Sequence, residues 1–118
     1  MQLSRLRVTW PFQALADETR FRVVRLVLSF GAPLTAGQVA SSLGIAANHL
    51  SRHLHILEAA GVTVIQRRGR SHFISVSSEE GYSDSLSATV LAMADSTGII
   101  KGDLNRLLSN GQSADELK

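Results

Sequence analysis

The sequence predicts a mostly helical α+β fold in which a helix–turn–helix is followed directly by a two-stranded β-hairpin. Two observations carry this prediction. The stretch TAGQVASSLGIAANHLSRHLHILEAAG, Thr35 to Gly61, holds two apolar patterns of helical period on either side of Gly44. After Gly61 the period changes to two: Val62, Val64, Ile65, Phe73, Ile74 and Val76 are β-branched or aromatic and flank the turn-forming segment QRRGRSH. A chain of 118 residues suits one domain with a modest core, and is small for a monomer that also encloses a deep active site.

Taken in order, the chain opens with Leu6, Val8 and Trp10 alternating with Arg5, Arg7 and Thr9, a period that predicts an extended arm or edge strand. Pro11 fits a first helical turn, so a short helix is expected over Pro11 to Ala16. Trp10 and Phe12 are read as anchors of the core or of a subunit interface. Asp17 has the chemistry of an N-cap, and Phe21, Val24 and Leu28, with Val27 and Phe30, form the buried side of a helix ending at Gly31. Arg20, Arg22 and Arg25 on that helix are either a solvated face or, near its start, contacts to a nucleic-acid backbone. Ala32-Pro33 breaks the chain.

Thr35 and Gln38 have the spacing of a capping box, which satisfies free backbone N–H groups at a helix start. Val39, Ala40 and Leu43 give a short apolar face, and Gly44 supplies the left-handed conformation that ends the helix. Leu50, Leu54 and Leu57 at i, i+4, i+7 are the buried stripe of the second helix. They leave Asn48, His49, Ser51, Arg52 and His55 outward. A second helix presenting short polar and cationic groups suits insertion into a DNA major groove.

Gly69 provides the hairpin turn and places Arg67, Arg68, Arg70 and His72 at the tip. Arginines this close repel one another unless an anion lies nearby, and a hairpin wing beside a helix–turn–helix is placed to grip phosphates or enter a minor groove. The overall charge agrees. Met1 to Ser78 carry nine arginines against three acids, a net +6, whereas Glu79 onward carries three bases against seven acids, a net −4. A basic, arginine-rich first two-thirds implies a polyanionic partner. Beyond the wing, Ser83 and Asp84 start another helix, with Leu86, Val90 and Met93 at i, i+4, i+7, and Gly98 beyond its end. Ala88, Leu91, Ala92 and Ala94 widen that face. So little chain remains to cover it that a partner subunit is its natural cover. Residues 1–98 are thus read as one DNA-binding and dimerisation domain, and 99–118 as a short extension: one brief helix with Ile100, Leu104 and Leu107 apolar, then a loose tail.

Other classes fit poorly. With no cysteine there is no disulfide, thiolate metal site or thiol switch. All four histidines, 49, 53, 55 and 72, lie in the helix–turn–helix and wing; His49 and His53 are spaced to share zinc, but no third ligand is evident, so no metal or other cofactor is expected. Ser51 beside His53 and His55 is not a catalytic triad, because neighbouring helical positions point apart, and no glycine run cradles a phosphate. No apolar run approaches the ~20 residues that span a bilayer, and MQLSRLRVTW lacks a signal-peptide core, so a cytoplasmic location without membrane contact is expected.

Three segments in order, ALADETRFRVVRLV, LTAGQVASSLGIAANHLSRHLHILEAAGV and RRGRSHFISV, resemble the winged helix–turn–helix repressors of the ArsR/SmtB family. The resemblance covers Phe12 to Val76 and, more loosely, the following helix. It implies a homodimeric repressor that binds a pseudo-palindromic operator in double-stranded DNA, dimerising through its first helix and the helix after the wing, where Trp10, Phe12, Leu86, Val90 and Met93 stand. Carried over residue by residue, Ala47, Asn48, His49, Ser51 and Arg52 occupy the groove-facing part of the recognition helix, with Asn48 suited to adenine and Arg52 to guanine or phosphate. Two features depart from the family: Ala46 stands where a capping serine is usual, and the short, arginine-alternating N-terminal segment replaces a long first helix. Any small-molecule effector is left open. The competing reading is a winged-helix module for protein–protein assembly or non-specific architectural DNA binding, which would not need Arg52 and RRGR together.

Overall fold

The computed structural model of the chain describes residues 5–77 and 84–110. A 3-10 turn over Arg7–Thr9 runs into α1 (Trp10–Leu15) and α2 (Glu18–Phe30). Then come β1 (Leu34–Thr35), α3 (Ala36–Leu43), α4 (Ala47–Ala59), β2 (Thr63–Arg68), β3 (Ser71–Val76), α5 (Asp84–Ala92) and α6 (Ile99–Ser109). The architecture is a winged helix–turn–helix with α5 and α6 packed behind it.

The helix boundaries follow the capping chemistry. Asp17 accepts a hydrogen bond from the Arg20 backbone N–H at 3.0 Å, and Gly31 closes α2 in the left-handed region at φ +81°. Thr35 and Gln38 form both halves of the capping box, at 3.1 and 2.8 Å, and Gly44 ends α3 at φ +73°. The core joins Val23, Val24, Leu26, Val27 and Phe30 of α2 to Leu34, Val39, Leu43, Leu50, Leu54, Leu57, Val62 and Ile74. On α2 the buried face is wider than expected and rotated: Val23 and Leu26 are inside, while Phe21 and Leu28 are only half-buried. The cause is that α2 contacts α1, α3, α4, α5, α6 and β3, so covering elements surround it on several sides.

Four expectations are corrected. The N-terminal arm is helical, not extended: Thr9 donates to the Leu6 carbonyl from both its backbone N–H (3.1 Å) and its hydroxyl (2.8 Å), and Gln13 donates to Thr9 Oγ1 at 2.8 Å. Such local side-chain bonds outweigh a two-residue period over so few positions. The wing is not a lone hairpin, because β1 pairs with β3 (Leu34↔Ile74, Thr35↔Phe73) to give a three-stranded antiparallel sheet ordered β1-β3-β2. A two-residue strand carries no readable period. The helix expected to begin at Ser83 ends at Ala92, so Met93 lies past it and is 53% exposed, while Val90 is buried in the chain's own core; Ser83 itself lies outside the described residues. Finally, α6 is no appendage. It packs against α2 and α3, with Leu107 and Asp103 buried. The loose tail expected from Ser109 starts too early, since Ser109 ends α6; its remainder, 111–118, lies outside the described residues.

Candidate nucleic-acid interface

Helix α4 presents the surface that the apolar stripe leaves outside. Leu50, Leu54 and Leu57 are buried, and Ala47, Asn48, His49, Ser51, Arg52 and His55 are all exposed. The backbone of Ala46 is extended, φ −69° and ψ 147°, as an N-cap requires, but its methyl offers no acceptor and no side chain caps the helix. The N-terminal end of α4 therefore keeps unpaired backbone N–H groups, the partial positive charge that favours an approaching phosphate.

The wing is built by register. Arg67 stands opposite His72 and Arg68 opposite Ser71, leaving Gly69 and Arg70 as a two-residue turn with Gly69 at φ +61°. Turns of this length need a left-handed residue to match strand twist, which glycine supplies without strain. Arg67 Nε donates to His72 Nε2 at 3.1 Å, and the Arg68 guanidinium lies 5.4 Å from the centre of the Phe73 ring. The cross-strand pairing and the ring contact thus hold two of the three tip arginines apart, all three remaining exposed with His72.

Between helix and wing runs a groove of about 320 Å³, lined by Ser51, Leu54, His55, Glu58, Ile65, Arg67 and His72. It brings together side chains from the two segments that the sequence marks separately. Glu58 is the lining residue that sequence reasoning overlooked. Its signal was present, since Ser51, His55 and Glu58 fall at i, i+4, i+7 on one helix face.

The α2 arginines are neither a solvated face nor open to a backbone. Arg20 is buried, its Nε donating to the Ala14 carbonyl at 2.7 Å and one terminal nitrogen lying 3.3 Å from His53 Nδ1. Arg22 grips both carboxylate oxygens of Asp103, at 2.9 and 2.7 Å. Arg25 donates to the carbonyls of Val90 (2.8 Å) and Met93 (3.0 Å). The Asp103 and Val90 contacts span 81 and 65 positions, beyond any local pattern.

His53, on the inner shoulder of α4, meets Arg20 and lies 3.8 Å from Asp17. Burial pushes its pKa below the ordinary histidine value; the nearby Asp17 carboxylate opposes this, and Arg20, His49 and Arg52 add to it. The His49 and His53 rings sit 5.1 Å apart at 50°. Among the described residues no three His, Asp or Glu side chains gather as a metal site would need. No helix among them is long and apolar enough to cross a membrane.

Known proteins share this layout. Residues 15–66 match the helix-turn-helix domain family. Two Bacillus subtilis proteins align over 65 residues, 55% of this chain. They are the uncharacterised HTH-type transcriptional regulator YceK, 31% identical over 65% of its length, and the transcriptional repressor SdpR, 34% identical over 70% of its length. Among solved structures, HlyU from Vibrio cholerae superposes with a TM-score of 0.62 at 22% identity, covering 76% of this chain and 90% of its own, a likeness of fold. An ArsR family transcriptional regulator superposes with a TM-score of 0.55 at 30% identity, covering 77% of this chain and 84% of that one. With helix–turn–helix, wing and capped α2 all in place, the chain belongs to the ArsR family of helix–turn–helix, DNA-binding transcriptional regulators and is not an enzyme.

Proposed function

We propose that this chain is a sequence-specific transcriptional repressor that binds a pseudo-palindromic operator as a homodimer, without a thiolate metal-sensor site. The observation that carries the reading is the groove between α4 and the wing, where Ser51 and His55 face Arg67 and His72. In this reading α4 enters the major groove. Ala47, Asn48, His49, Ser51, Arg52 and His55 face the bases, Asn48 matching the adenine edge and Arg52 guanine or a phosphate. Arg67, Arg68, Arg70 and His72 grip the flanking backbone, which sets affinity and register more than sequence choice.

Two-fold symmetry of the operator requires two copies of the chain. Leu6, Val8 and Phe12 are 62%, 63% and 62% exposed, and Leu91 and Met93 are also outward; large apolar groups left in water like this suit burial by a second copy. Trp10 is half-buried against the core under the Arg7 guanidinium, 5.3 Å from its ring, and Leu86 is likewise half-buried, so both flank that interface. Val90 supports it from within the chain. The repressor direction follows the name of SdpR.

The test begins with enrichment of bound duplexes from a random-sequence DNA pool, followed by fluorescence anisotropy of the winning duplex and a scrambled one across a salt series. The expected result is a selected site with two-fold symmetry, tight binding to it, and a steep fall in affinity with salt. Replacing Arg67, Arg68 and Arg70 with alanine should weaken both duplexes and lower the log–log salt slope by roughly one unit for each phosphate that is no longer neutralised. Equal, weak binding of the unmodified chain to both duplexes would overturn the reading.

A further inference from the structure

The end of α3 shows how its backbone is satisfied. A helix leaves its last four carbonyls without intrahelical partners. Here Ala40 O accepts from Gly44 N and Ile45 N, and Ser41 O from Gly44 N. The remaining two are met from outside the helix–turn–helix: Ser42 O accepts from Arg106 Nε of α6 at 2.7 Å, and Leu43 O from Arg22 of α2 at 3.1 Å. Both guanidinium groups also bind the same buried carboxylate, Asp103 Oδ1, each at 2.7 Å. Asp103 is 1% exposed, so removing either cation would leave a poorly compensated charge inside the protein. The Arg106 guanidinium lies back over Gly102, where an added β-carbon would meet it at 3.3 Å.

Those two carbonyls are the last before the Gly44–Ala46 turn that aims α4. Ala46 offers no side-chain cap, so no hydrogen bond from the N-cap side chain anchors the start of α4. We infer that the Arg22–Asp103–Arg106 cluster is a clamp by which α6 holds the end of α3, and so positions α4 for sequence reading. Arg106 is then a positioning residue for DNA recognition and touches no base. This rests on the proposed role of α4 in reading the operator.

Arg106 is the residue to test, since its side chain is 52% exposed and tolerates replacement better than Asp103. Arg106→Ala and Arg106→Lys are compared with the unmodified chain on the selected and scrambled duplexes, with circular dichroism reporting the fold. Lysine keeps the charge, so a direct phosphate contact or a general field effect would survive in it. A single ammonium cannot reproduce the guanidinium fork that joins Ser42 O to Asp103. Both variants should therefore lose discrimination between the duplexes by roughly three- to thirty-fold, while binding to scrambled DNA stays within about two-fold. Amide hydrogen exchange should speed up across 44–50 in both. Unchanged discrimination in folded Arg106→Ala, or full retention in Arg106→Lys, would overturn the clamp while leaving the DNA reading intact. An unmodified chain that selects no duplex would overturn both, and would be recognised by that control alone.

Discussion

His53 joins α4 to the start of α2, and its surroundings predict that acid weakens folding. Half-buried beside Arg20, it favours the neutral form, and its pKa lies below the ordinary 6.5. The unfolded chain therefore takes up a proton first as pH falls. The contribution to stability is complete above the unfolded value and is lost as pH drops through the folded one. Urea midpoints should fall between pH 7.5 and pH 5.5, and His53→Gln, which keeps an acceptor for Arg20, should flatten that dependence. An unchanged pH slope in the variant would remove His53 as its source. At this scale the outward set on α4 was legible, because a three-leucine stripe defines its own opposite face. The fates of Arg20, Arg22 and Arg25 were not, since an arginine reads the same in sequence whether water or a buried carboxylate receives it.

Among the elements, α4 begins without a side-chain cap. Ala46 has the extended backbone of an N-cap without an acceptor, so Ala46→Ser should add ~1 kcal/mol to unfolding free energy by satisfying a free N–H. Denaturant titration checks this, and a loss of stability would mean that the first turn of α4 is already satisfied. The capping box of α3 and the glycine stops of α2 and α3 were readable because each is a contact within a few residues. The same locality explains where reading failed. β1 is too short to show alternation, and the N-terminal arm alternates in sequence yet folds as a turn and helix through Thr9.

For the whole molecule, the exposed arginines of the wing tip and the exposed apolar N-terminal segment are the surfaces that, under the proposed function, meet DNA and a second copy. In sedimentation equilibrium the chain should behave as twice its 12.7 kDa. Replacing Leu6, Val8 and Phe12 with glutamate should give folded monomers that bind one half-site weakly, because all three side chains are already solvated in the single chain. A variant that remains dimeric would place the interface elsewhere, with Leu91 and Met93 of the α5 end as the next residues to change.

The sequence by itself determined the helix–turn–helix, its caps, the outward face of α4 and the arginine-tipped wing. Each depends on contacts within a few residues or on a period that burial of one face imposes. Only the tertiary structure decided that α6 is part of the core, that Val90 turns inward, that β1 joins the sheet, and that Arg22 and Arg106 meet over Asp103. Apart from the i, i+3 pair Asp103–Arg106, those outcomes depend on which surfaces meet across 38 to 81 positions of chain. Such pairings are settled by packing and by the need to neutralise a buried charge, and no local pattern encodes them.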